Sequence, residues 1–124
     1  MRKDFAAVLS SATVNLPDEA RRIALAPVSS AAIEIHRPRL LYPDETLTLE
    51  AYVFRQWKAE TTADSHVDIV FLDGAGRELD VETTSFSPRS LSQSIRGPKP
   101  HAYFKIPVRL PAGTTAIEVR GHDG

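Results

Sequence analysis

The run Thr46-Leu47-Thr48-Leu49-Glu50-Ala51-Tyr52-Val53-Phe54-Arg55-Gln56-Trp57 decides the fold. Leu47, Leu49, Ala51, Val53 and Trp57 hold odd positions, while Thr46, Thr48 and Glu50 hold even ones. Successive side chains of an extended chain point to opposite faces, so this period of two describes a strand with one buried face. Tyr42-Pro43-Asp44-Glu45 opens it with a turn. Its even face then carries two aromatics, Tyr52 and Phe54, which a solvated face does not require.

The same alternation recurs on both sides. Toward the N-terminus, strands are expected over 12–16 (Ala12, Val14 and Leu16 inward), 22–26 (Ile23 and Leu25 inward) and 31–36. In the last, Ala31, Ile33 and Ile35 face inward, with Glu34 and His36 outward. Toward the C-terminus, they are expected over 66–72 (Val67, Ile69, Phe71 inward), 77–86 (Leu79, Val81 inward), 102–110 (Ala102, Phe104, Ile106, Val108, Leu110 inward) and 115–120 (Ile117, Val119 inward). Asp73-Gly74-Ala75-Gly76 reads as a hairpin turn, and Pro111-Ala112-Gly113 as a second tight connection. Pro107 removes a ladder donor, which places its strand at a sheet edge or a bulge. Residues 17–22, with Pro and acids leading good helix formers, predict one helical turn.

Eight short strands in about 100 residues predict an all-β, two-sheet antiparallel sandwich of 7–8 strands. The stretches Tyr42–Leu49 and Leu110–Val119 resemble the opening and closing strands of bacterial immunoglobulin-like or fibronectin-III-like sandwiches. The resemblance covers about 20 residues of turn chemistry and alternation, and implies that fold and an extracytoplasmic setting. The Cys…Trp…Cys pattern of true immunoglobulin domains is missing.

At 124 residues the chain is long enough for one domain, expected over 12–124, with a sizeable core. Residues 1–11 are expected to be a tail or the remnant of a signal, since Phe5–Leu9 is too short an apolar stretch for a complete one. No apolar run approaches the roughly 20 residues of a membrane-spanning helix, so no membrane insertion is expected. Cysteine is absent, which removes disulfides, thiolate metal sites and cysteine nucleophiles.

The net charge of −1 conceals two opposed blocks. Residues 43–82 hold ten acids and three bases, and residues 83–117 hold five bases and no acid. Inside the basic block, 87–100 is a Ser/Pro-rich stretch carrying Arg89, Arg96 and Lys99, expected to be a long loop. Five bases beside so acidic a block make a poor nucleic-acid footprint.

No catalytic motif stands out. There is no G-x-S-x-G elbow, no phosphate loop and no local histidine pair at metal spacing. A metal site from His66 with Asp64 or Asp68 would need strand ends to converge, and no metal or cofactor is expected. The expectation is a non-catalytic binding or assembly module. Its contact surface would combine Tyr52, Phe54, Trp57, Tyr103, Lys105 and Arg109 with Arg89, Arg96 and Lys99 of the basic loop. The partner would be a protein or a second copy, and the alternative ligand a glycan or small anion.

Overall fold

The structure, a computed structural model, describes residues 16–56, 65–86 and 101–123. Leu16 leads into one helical turn, α1 (Asp18–Arg21), which buries Ala20. Seven strands follow among the described residues: β1 (Ala24–Val28), β2 (Ile33–Leu41), β3 (Thr48–Arg55), β4 (His66–Leu72), β5 (Glu78–Thr84), β6 (His101–Pro107) and β7 (Ala116–His122). They form two sheets, of order β1-β7-β4-β5 and β2-β3-β6. The chain is an all-β sandwich. The expected strand over 12–16 and the tail over 1–11 lie outside the described residues, apart from Leu16.

Between the sheets lie the apolar phases of the strands. Ile33, Ile35 and Leu40 of β2, Leu49, Ala51 and Val53 of β3, and Ala102 and Phe104 of β6 meet Val67, Ile69 and Phe71 of β4 and Ile117 and Val119 of β7. Each large aliphatic or aromatic side chain so buried contributes roughly 1.5–3 kcal/mol of transfer free energy. Ile23 and Leu25 pack half-buried against this core.

Edge strands are marked in the sequence. β1, β2 and β6 are each at a sheet edge and carry Pro27, Pro38 and Pro107, residues that cannot donate to a further strand. The fourth edge, β5, carries Glu78, Asp80 and Glu82 instead, charges that discourage edge-to-edge pairing.

Three expectations need correction. The sandwich is not wholly antiparallel: β1 runs parallel to β7, with Ala24 opposite Ala116 and Val28 opposite Arg120. Alternation specifies faces and says nothing of strand direction. Leu79 and Val81 do not face the core. The β4 register places Val81 opposite outward Val70 and Glu82 opposite inward Ile69, and a bulge follows between Phe71 and Leu72. Leu79 and Val81 are therefore 38% and 45% exposed. Ala31 is also exposed, and its neighbour Ala32 is buried in its place, because β2 begins only at Ile33.

At one end the sheets almost touch. A Cβ on Gly121 of β7 would lie 2.8 Å from Cγ1 of Ile33 in the other sheet. Next to it, the Asp123 carboxylate accepts hydrogen bonds from Ser30 Oγ at 2.5 Å and from the Ala32 N–H at 3.1 Å. The backbone on either side of His122 is thus held.

Candidate functional site

The outer face of the three-stranded sheet is built from the outward phases of β2, β3 and β6. Strand register arranges it in three rows: Glu34–Phe54–His101, His36–Tyr52–Tyr103 and Arg39–Glu50–Lys105. Directly paired and diagonal positions are close enough for rings to meet. Phe54 stacks on His101 with centroids 5.5 Å apart, and His36 meets Phe54 edge-on at 4.7 Å. Tyr52 tilts against Tyr103 at 5.5 Å and against His101 at 5.9 Å. Tyr52 remains 37% exposed in spite of these neighbours.

A buried carboxylate underlies the third row. Glu50 is 6% exposed, although its alternating position predicts a solvated side chain. Tyr103 covers it and donates its hydroxyl to Oε2 at 2.6 Å, while the Arg39 guanidinium pairs with Oε1. A buried carboxylate is tolerated where donors satisfy both oxygens and a cation balances its charge. The Glu50 hydrogen bond, with burial second, pushes the Tyr103 phenol pKa up to about 12.

His36, Arg37, Tyr52, Phe54 and His101 line a cleft of about 250 Å³. Arg37 stands at the β2 bulge between His36 and Arg39 with φ of 54°, a left-handed conformation rare for a non-glycine residue. Such outliers cluster where a site re-aims a side chain. A shallower hollow of about 460 Å³ adjoins on the β6 side, lined by Thr84, Phe86, Tyr103, Lys105 and Ile106 among others.

Of the residues expected at the site, Tyr52, Phe54, Tyr103 and Lys105 share this face. Arg109 is exposed but lies two residues past the end of β6, outside the three rows. Trp57, Arg89, Arg96 and Lys99 lie outside the described residues. Glu50, His36 and His101 were not expected here. His36 looks like a strand end in the sequence, but β2 runs on to Leu41 and leaves it in the interior of the strand.

No protein-family model matches the chain, and no curated protein or solved structure matches it significantly.

Charge separates by sheet. The three-stranded face presents Arg37, Arg39 and Lys105 beside two histidines, with Glu34 and the neutralised Glu50 as its acids. The β4–β5 hairpin presents Asp68, Asp73, Glu78, Asp80 and Glu82, together with exposed Leu79 and Val81. Asp80 and Glu82 take the inward phase of β5, opposite Phe71 and Ile69, whereas on the outer face of the sheet His66 and His122 are direct cross-strand partners and Asp68 stands two residues from His66 on the same side.

Proposed function

We propose that this chain is a non-catalytic binding or assembly module of immunoglobulin-like type, using the outer face of its three-stranded sheet as the contact surface. The seven described strands, split four and three with repeated crossings between sheets, support that type. The single observation that carries the functional reading is the ring cluster on a net-basic exposed face. Tyrosine and arginine are enriched at protein interfaces because they combine a large apolar area with a polar end. Phe54 already stacks on His101 and makes a T-shaped contact with His36, which favours lateral packing against protein over stacking on a sugar ring.

The partner of best-matched chemistry is an acidic surface with exposed aliphatics, and the β4–β5 hairpin of a second copy has that character. Such a contact is head-to-tail and propagates unless a rotation closes it. The basic segment 87–100, with Arg89, Arg96 and Lys99, precedes β6 in sequence and lies outside the described residues. Sedimentation velocity over a concentration series at low and high salt tests the reading. Association is expected at low salt, weakened by salt and abolished by Lys105→Glu. A monomer under every condition overturns self-assembly.

A second reading rests on the cleft of about 250 Å³, where the Arg37 guanidinium stands with the imidazoles of His36 and His101. It is a site for a small anion or acidic glycan. Thermal unfolding with phosphate, sulfate and acidic oligosaccharides separates the two: a ligand-specific shift independent of protein concentration favours the cleft.

A further inference from the structure

We propose that His66, Asp68 and His122, on the outer face of the four-stranded sheet, form a binding site for a divalent transition metal. His66 opens β4 and His122 closes β7, and the register sets them directly opposite each other. Their rings lie 4.4 Å apart at 28°. Asp68 is two residues along β4 from His66, so the period of two returns it to the same face. His66 Nε2 lies 3.1 Å from Asp68 Oδ1, and one ligand atom from each of the three residues falls within 4.8 Å of the others. Donors around a tetrahedral zinc stand about 3.3 Å apart, given bonds of about 2.0–2.1 Å. The His66–Asp68 spacing meets that already, and rotation of the exposed His122 ring closes the rest.

The surroundings favour a metal. Thr83 Oγ1 donates to Asp68 Oδ1 at 2.9 Å, the kind of outer contact that orients a ligating carboxylate. Arg120 is the cross-strand neighbour of Asp68, but its guanidinium turns to Glu118 and Glu78. The two sheets pin His122 from behind, through Gly121 against Ile33 and Asp123 on Ser30 and Ala32. Two imidazoles and one carboxylate suit zinc, nickel, cobalt or copper rather than magnesium or calcium, which prefer all-oxygen shells. Three protein ligands on a solvent face leave at least one coordination position to water.

Tag-free protein, treated with a chelator and exchanged into metal-free buffer, is titrated with zinc chloride by calorimetry. One zinc per chain is expected, with an unfolding midpoint that rises with free zinc. Asp68→Asn and His122→Ala should each weaken binding by about tenfold or more, and Thr83→Ala by about tenfold. A His36→Ala/His101→Ala double variant should bind as the parent does. Cobalt(II) added to the unmodified protein should give the intense visible bands of a four-coordinate ion, a readout that needs no variant to fold. Absence of saturable zinc uptake at millimolar metal overturns the proposal. So does uptake unchanged in the Asp68→Asn/His122→Ala double variant, or a cobalt spectrum no different from that of the aqua ion.

Discussion

The Tyr103 hydroxyl donates to Glu50 Oε2 at 2.6 Å across the β3–β6 ladder and closes the buried carboxylate from solvent. Tyr103→Phe keeps the ring and removes the donor, so one oxygen of Glu50 loses its partner. A loss of about 1–3 kcal/mol in denaturant unfolding is expected.

The same bond sets a pH dependence. The folded phenol titrates at about 12 against an ordinary 10.0, so the neutral form is favoured in the folded state. Its stabilisation is fully present below pH 10 and lost as pH rises toward 12. Absorbance titration of the phenols in Glu50→Gln should show the Tyr103 transition moving back toward the ordinary value. An unchanged high transition would mean that burial, not the carboxylate, holds it.

Asp73 governs the β4–β5 turn. Its Oδ1 accepts from the N–H groups of Ala75 and Arg77 at 2.9 Å each, and Oδ2 takes the Arg77 guanidinium at 3.1 Å. The Arg77 N–H is the main cause that holds the Asp73 pKa below 3.8, against a smaller opposing effect of lost hydration. Its stabilisation is present above that value and lost as pH falls through the lowered pKa. Asp73→Ala should therefore lower the unfolding midpoint at neutral pH, and the parent and variant curves should converge in strong acid.

Gly121 is required by contact between the sheets. Its missing Cβ would meet Ile33 Cγ1 at 2.8 Å and Ser30 Oγ at 3.0 Å. Gly121→Ala should cost about 1–3 kcal/mol through overpacking, measured by denaturant unfolding. If the His66/His122 site binds metal, zinc affinity should fall with it.

Arg37 separates function from stability. Its left-handed backbone costs an ordinary residue roughly 1–2 kcal/mol, and the extra chain entropy of glycine offsets about 0.4–1 of that. Arg37→Gly should leave stability level or raise it by up to about 1.6 kcal/mol. The same variant should abolish any anion-dependent rise in unfolding midpoint. Retention of that rise would place anion binding elsewhere.

Alternation within single segments was enough to identify the seven described strands and most of the core. Leu49, Ala51 and Val53 are buried as their phase requires, and so are Val67, Ile69, Phe71, Ile117 and Val119. The Asp73–Gly76 turn, the helical turn after Pro17 and the edge position of Pro107 were equally legible. These features are local: a few neighbouring residues set φ, a turn or a face.

Everything that depends on pairing waited for the tertiary structure. β5 shows this most clearly, since Leu79 and Val81 are the apolar members of an alternating run yet face outward. The register with β4, set by the Asp73 turn and by the burial of Val67, Ile69 and Phe71, outweighs the preference of an edge strand with no buried residue. Glu50 reads as a solvated strand residue until Arg39 and Tyr103 arrive from two other strands.

The histidines carry the same lesson. His66 and His122 have no motif spacing, and only the β4–β7 ladder sets them face to face. Sequence determined which residues lie extended and which of their faces is apolar, because that information sits in adjacent side chains. The folded chain alone decided strand neighbours, direction and register, because those are chosen by burying the whole core at once.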